Sequence, residues 1–251
     1  MVHLSSLVGD DFVSTFWALP VVAWQGFSSS VTAPDDAAEF EEEEDPGVPE
    51  ELPLRHTWIV WQQLASPGKS VPYEQSTKQI ASMNSVEDFW PVFDRLPQPS
   101  DLLTRRMAEK TQEDGSHVVD ALMIFRDGVL PQWEDAANSE GGHLQFHFKA
   151  SVGAAQLDEY WNNLVLGTLG NTLEPAEMIT GLRLVDKVTT GKGGVPSMVR
   201  MEVWFGSASD VQAVAALQKN VERCVATRTL EGRLGSIPKA ELKHHKMTRH
   251  Q

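Results

Sequence analysis

An α+β domain, built as an antiparallel sheet with helices packed on one face, is the fold that three features of this 251-residue sequence predict. Aromatic, β-branched or strictly alternating segments recur along the chain and read as strands. Three other segments carry apolar residues at helical spacing. The two kinds follow in the order strand, helix, strands, helix, strands, helix, without the steady βαβ alternation of a doubly wound parallel sheet.

Trp58-Ile59-Val60-Trp61 is the first strand. Ser85 caps a helix that begins Val86-Glu87-Asp88-Phe89-Trp90 and extends its apolar stripe through Phe93 and Leu96, with a kink expected at Pro91. Pro97 to Ser116 is polar and reads as a long loop, followed by a strand over Val118–Arg126 and a turn at Asp127-Gly128. His143–Lys149 alternates, with Leu144, Phe146 and Phe148 on one face and His143, Gln145 and His147 on the other. Ala154–Leu169 is a helix that turns Leu157, Trp161, Leu164 and Val165 inward and stops at Gly170. Two strands, Leu182–Val188 and Met198–Phe205, flank a Gly-rich loop, and Ser209-Asp210 opens a third helix running to about Val225.

Charge divides the chain unevenly. The formal net charge is −14, yet residues 1–51 hold twelve Asp and Glu and no Lys or Arg, while the rest holds 23 acids and 21 bases. Residues 181–251 carry twelve bases against six acids. This predicts an acidic, disordered arm over 1–51, a domain over 52–235 and a basic tail over 236–251 that includes His244, His245 and His250. Within the arm, Phe12, Phe16 and Leu19 share helical spacing, and Asp10-Asp11 stand where a secretory signal would need positive charge. One Cys excludes an internal disulfide framework and suits a reducing, cytoplasmic setting; no apolar run is long enough to span a membrane. The charge balance also argues against DNA and against broad, sequence-independent RNA binding.

No catalytic signature is present, and neither a metal nor a cofactor is expected. Gly191-Lys192-Gly193-Gly194 lacks the spacing of a phosphate-wrapping loop. His143 and His147 are four apart on a strand, without the helical geometry of a zinc pair. Cys224 reads as a small buried residue on a helix. Trp133-Glu134 on a loop has two readings: an anchor for the loop, or a flat slot in which Glu134 accepts from adjacent N–H donors such as guanine N1–H and N2–H. Arg200 and Trp204 lie at i and i+4 on one strand, hence on one face. Lys187 and the loop residue Lys192 can join them, either as ordinary surface charge or as a site for phosphates attached to a ring.

With these residues in place, the chain from about Pro53 to Phe205 resembles the mRNA cap-binding translation initiation factor 4E family. The resemblance rests on Trp58-Ile-Val-Trp61, Val86-Glu-Asp-Phe-Trp90, Asp127-Gly128, Pro131-Gln-Trp133-Glu134-Asp135, Gly141-Gly142, the Trp161 helix and Trp204, in family order. It implies a non-enzymatic protein with a curved antiparallel sheet, three helices on the convex face and a cap slot on the concave side. It places 7-methylguanine between Trp133 and Tyr73, the latter standing where many members have Trp, with Glu134 at the base edge and Trp204 near the methyl group. It assigns cap phosphates to Lys187 and Arg200, with Lys192 as a third contact and His143 where the family has Arg. It also implies a partner-helix surface at Pro53, Val86, Trp90, Asn162, Asn163 and Leu166, for a 4G-type scaffold or a 4E-binding repressor protein. Asn162 and Asn163 replace a Leu and a Glu, and Pro91 follows Trp90, which marks a divergent member. The implied role is recruitment of capped mRNA for initiation; the alternative is a repressor or storage factor that occupies caps without engaging the scaffold.

Overall fold

The computed structural model describes residues 51–65, 73–103, 108–111, 115–187, 198–226 and 237–245. Lys192 and all of the acidic arm before Glu51 therefore lie outside the described residues. The chain divides into two units, Met1–Gly47 and Val48–Gln251, and the following concerns the second.

Among the described residues it holds eight strands: β1 (Pro53–Leu64), β2 (Thr77–Ser85), β3 (Ala108–Thr111), β4 (Gly115–Arg126), β5 (Gly142–Lys149), β6 (Ile179–Asp186), β7 (Met198–Phe205) and β8 (Glu241–His244). They make one curved, antiparallel sheet in the order β2-β1-β4-β6-β7-β5-β8, with β3 paired to the start of β4. Besides the single turn α1 (Tyr73–Ser76), the helices are α2 (Val86–Phe93), α3 (Ala154–Leu169) and α4 (Val211–Ala226).

Alternation along the strands sorts side chains into two cores. On the convex face, Val60, Leu122, Ile124, Leu144, Phe146, Leu182, Leu184, Met201 and Val203 pack under Phe89 and Phe93 of α2, Leu157, Trp161, Leu164 and Val165 of α3, and Leu217, Val221 and Val225 of α4. On the concave face, a small cluster of Ala121, Met123, Phe125, Val185 and Trp204 forms a floor. Gly181 is required there. A Cβ at this position would stand 2.4 Å from the Phe125 ring, which in turn packs edge-on against Trp204 at 5.3 Å.

Four expectations need correction. β2 was not expected, because Thr77–Ser85 is polar and, as an edge strand, buries only part of one face. The loop expected over 97–116 contains β3 and the start of β4. α2 ends at Phe93: Pro91 has no N–H, Asp94 N still reaches Trp90 O, and the Arg95 and Leu96 amides then bond three residues back in a tightened turn. The tail boundary at residue 236 also fails, because β8 pairs with β5 and His245, expected in solvent, is buried. Glu222 holds this segment to α4, accepting from Lys239 Nζ at 2.8 Å and Ala240 N at 3.1 Å.

Candidate cap-binding site

Above the concave floor opens a cleft of about 530 Å³ lined by Tyr73, Pro131, Gln132, Trp133, Glu134, Arg183 and Trp204. Four elements converge on it: α1, the β4–β5 loop and the neighbouring strands β6 and β7.

The β4–β5 loop is held by two side chains. Asp135 accepts from Leu130 N at 3.1 Å and Ala137 N at 2.8 Å, and buried Asn138 donates to Leu130 O and Gln132 O, both at 2.9 Å. The Tyr73 hydroxyl donates to Pro131 O at 2.7 Å, tying α1 to this loop. Burial raises the Tyr73 pKa above its ordinary value, so the hydroxyl stays a donor. Because polar bonds fix the loop, Trp133 is not its anchor. The indole is 51% exposed, lies along the cleft and leaves Glu134 beside it at the rim.

Trp204 is 1% exposed, and its Nε1 donates to Glu202 at 2.8 Å. Glu202 is itself buried and pairs with Arg200 Nε at 2.7 Å and Arg183 at 3.8 Å. Burial works against its charge, but the two guanidiniums, His143 and the indole N–H outweigh that and hold its pKa below the usual carboxylate value. Lys187 follows β6 directly and is exposed. Its pKa is lowered by partial burial and by the nearby charges of Arg200 and Arg183.

His143 does not fit the role expected for it. It is buried, stacked on Trp204 at 5.5 Å, with Nδ1 3.0 Å from His245 Nε2. Burial, against an opposing pull from Glu202, lowers its pKa to about 4. The ring is therefore neutral near pH 7 and offers a phosphate no charge. His245 joins the same group, bonded to Asn138 O at 2.9 Å and stacked with Trp133 at 6.3 Å and 17°. Arg183, Glu202 and His245 were not found in the sequence. Arg183 interrupts an apolar strand, which was an available signal; the other two gain their neighbours only through long-range pairing.

On the convex side, Pro53 pairs with Ser85 and Val86 N donates to Leu52 O, which sets Pro53 and Val86 side by side. Trp90 is 47% and Leu166 40% exposed, and Asn162 is half-buried. Asn163 is corrected: it points into the protein, donating to Val225 O of α4 at 3.3 Å, and does not reach the outer surface. Cys224, expected to be buried, is only partly so; burial pushes its thiol up to about 11, and its S–H donates to Asn163 O at 3.1 Å. Among the described residues no group of three His, Cys, Asp or Glu could hold a metal, and no helix is long and apolar enough to cross a membrane.

Comparison with known proteins bears on the fold and the family. A rice protein (Oryza sativa subsp. japonica) named eukaryotic translation initiation factor NCBP is 31% identical over 198 residues, covering 76% of this chain and 75% of the rice protein. Eukaryotic translation initiation factor 4E-1 of Schizosaccharomyces pombe is 32% identical over 158 residues, 63% of this chain and 62% of the yeast protein. Among solved structures, Ascaris suum eIF4E-3 in complex with an m2,2,7G cap superposes with a TM-score of 0.59 at 20% identity, covering 78% of this chain and 93% of that one. Caenorhabditis elegans eIF4E-3 bound to the 4E-binding protein Mextli gives 0.58 at 18% identity, covering 78% and 94%. The sequence profile of the eukaryotic initiation factor 4E family matches residues 53–248. The chain belongs to the eukaryotic initiation factor 4E family.

Proposed function

We propose that this protein binds the 7-methylguanosine 5′ cap of mRNA and recruits capped mRNA for translation initiation. The observation that carries this reading is one cleft lined at once by the Tyr73 and Trp133 rings, the Glu134 carboxylate and the Trp204 floor. N7 methylation makes guanine a cation, and a cation between two electron-rich rings gains about 0.5–2 kcal/mol from each. Glu134 accepts the two adjacent donors of the guanine edge, a pair of charge-assisted bonds that adenine does not supply. Lys187, Arg200 and Lys192 take the phosphates; His143, being neutral and buried, leaves that set. Nothing in the reading calls for a chemical step on the cap. The action is binding, and the cytoplasm is where it would serve initiation.

The exposed Trp90 and Leu166 support a partner on the convex face, either a 4G-type scaffold or a 4E-binding repressor. The C. elegans eIF4E-3 structure is a complex with the 4E-binding protein Mextli. One observation favours the repressor alternative: Asn163 is turned inward and polar Asn162 stands beside Leu166, so the surface offers a partner helix less apolar area. Retention on immobilised 7-methyl-GTP, with release by free 7-methyl-GTP and not by GTP, tests the cap reading; passage through the resin refutes it. Co-retention of a 4G-type scaffold supports recruitment, and its exclusion by the wild-type protein supports the repressor.

A further inference from the structure

Arg183 lines the cleft yet has no part in the roles above. Its place is set by the β6–β7 register. Gly181 faces Trp204, Arg183 faces Glu202 and Val185 faces Arg200. Alternate residues of a strand are about 7 Å apart. Arg183 and Glu202 therefore form a row midway between the Trp204 row, at the ring end of the cleft, and the Arg200 row, beyond which Lys187 follows the end of β6.

The guanidinium is restrained without being used up. It donates to Gln63 Oε1 at 2.5 Å and lies 3.8 Å from Glu202, whose other carboxylate oxygen is engaged at 2.7 Å by Arg200. Its Nε is buried and has no acceptor among the described residues, so the Nη groups are what the cleft can reach. Arg183 is thus the cation less neutralised by Glu202, and it faces the cleft with side-chain exposure of 15%. A planar fork of N–H donors held in place by other residues matches two oxygens of one phosphate.

We propose that Arg183 directly contacts the phosphate nearest the ribose of a bound cap nucleotide, with Glu202 as the positioning residue that aims its guanidinium. This rests on the cap reading of the same cleft. The phosphate chain then runs from Arg183 toward Arg200 and Lys187, and its negative charge relieves the mutual repulsion of three gathered cations.

The test titrates the wild type, Arg183→Met and Arg183→Lys with 7-methylguanosine, 7-methyl-GMP and 7-methyl-GTP, following tryptophan fluorescence, with thermal unfolding alongside. Losing a hydrogen bond to a charged group predicts a drop of roughly tenfold or more on the mono- and triphosphate for Arg183→Met. The nucleoside affinity stays within about twofold and Arg183→Lys recovers part of the loss, as a retained point charge would. An equal loss on the nucleoside would show a structural role and overturn the proposal. A loss confined to the triphosphate would place Arg183 on an outer phosphate and also overturn it, as would no loss on any ligand. If the wild type binds none of the methylated ligands, the cap reading itself fails, an outcome distinct from failure of the Arg183 contact.

Discussion

Replacing Trp133 separates binding from folding. The indole is 51% exposed, and an aromatic side chain carries roughly 150–250 Å² of surface. About 100 Å² is thus open for a ligand to cover, which at about 25 cal/mol per Å² contributes about 2.5 kcal/mol. A methylated, cationic base adds about 1 kcal/mol by cation–π attraction. Trp133→Ala should therefore lose about 3.5 kcal/mol, a weakening of ~300-fold for 7-methyl-GTP. The fold should hardly notice, because Asp135, Asn138 and the Tyr73 hydroxyl bond fix the loop without the indole. The melting temperature should shift by no more than ~2 °C. Trp133→Phe keeps a smaller ring and should recover part of the affinity. Isothermal titration calorimetry with 7-methyl-GTP, run beside a thermal melt, measures both. A loss below ~5-fold, or a fall in melting temperature that accounts for the lost binding, would refute the reasoning.

Other positions give independent outcomes. Trp161 of α3 is fully buried against the sheet, so Trp161→Ala should cost about 3–5 kcal/mol in urea unfolding; a cost below ~1 kcal/mol would contradict the packing described. Burial holds His143 neutral, with a pKa of about 4 against an ordinary 6.5. The unfolded chain takes up a proton there that the folded protein refuses, so stability is full above pH 6.5 and falls toward pH 4, by at most about 3 kcal/mol. Melting temperatures from pH 7.5 to 4.5 should follow that slope and His143→Gln should flatten it; identical slopes would remove His143 as the cause, leaving its buried neighbour His245. Trp90, at 47% exposure, should be dispensable for cap binding yet central to a helical partner: Trp90→Ala should weaken a 4G-type or 4E-binding partner by ~30-fold and leave 7-methyl-GTP affinity within twofold.

How much of this was legible in the sequence depended on where the stabilising contacts lie. α3 and β7 match expectation at both ends, because Leu157, Trp161, Leu164 and Val165 keep helical spacing and Val199, Met201 and Val203 keep strand spacing against one core. β2 left no local pattern: its backbone pairs with β1, but few of its side chains are buried. β8 is held by β5, about one hundred residues away in the chain, and by Glu222, so its basic sequence reads as a solvated tail. The aromatic and acidic residues of the cleft stood out because a Trp-Glu pair on a loop needs a reason. Glu202 did not, since it makes sense only once β6 and β7 lie side by side, and the one signal for Arg183 was a charge interrupting an apolar strand. His143 was grouped with the phosphate contacts for its family position, where a His in place of Arg gives a weaker or pH-dependent charge; the packing of Trp204 and His245 around it shows why the ring is neutral.

Affinity of the wild-type protein for 7-methyl-GTP against GTP, measured by tryptophan fluorescence in the same buffer at pH 7, addresses the central claim most directly. The two ligands share phosphates, ribose and guanine edge, so their difference isolates the charge that methylation would place between Tyr73 and Trp133 on the proposed reading. Two stacked rings predict 7-methyl-GTP tighter by ~10- to 1,000-fold. Equal affinities would contradict the account, whatever the absolute strength of binding.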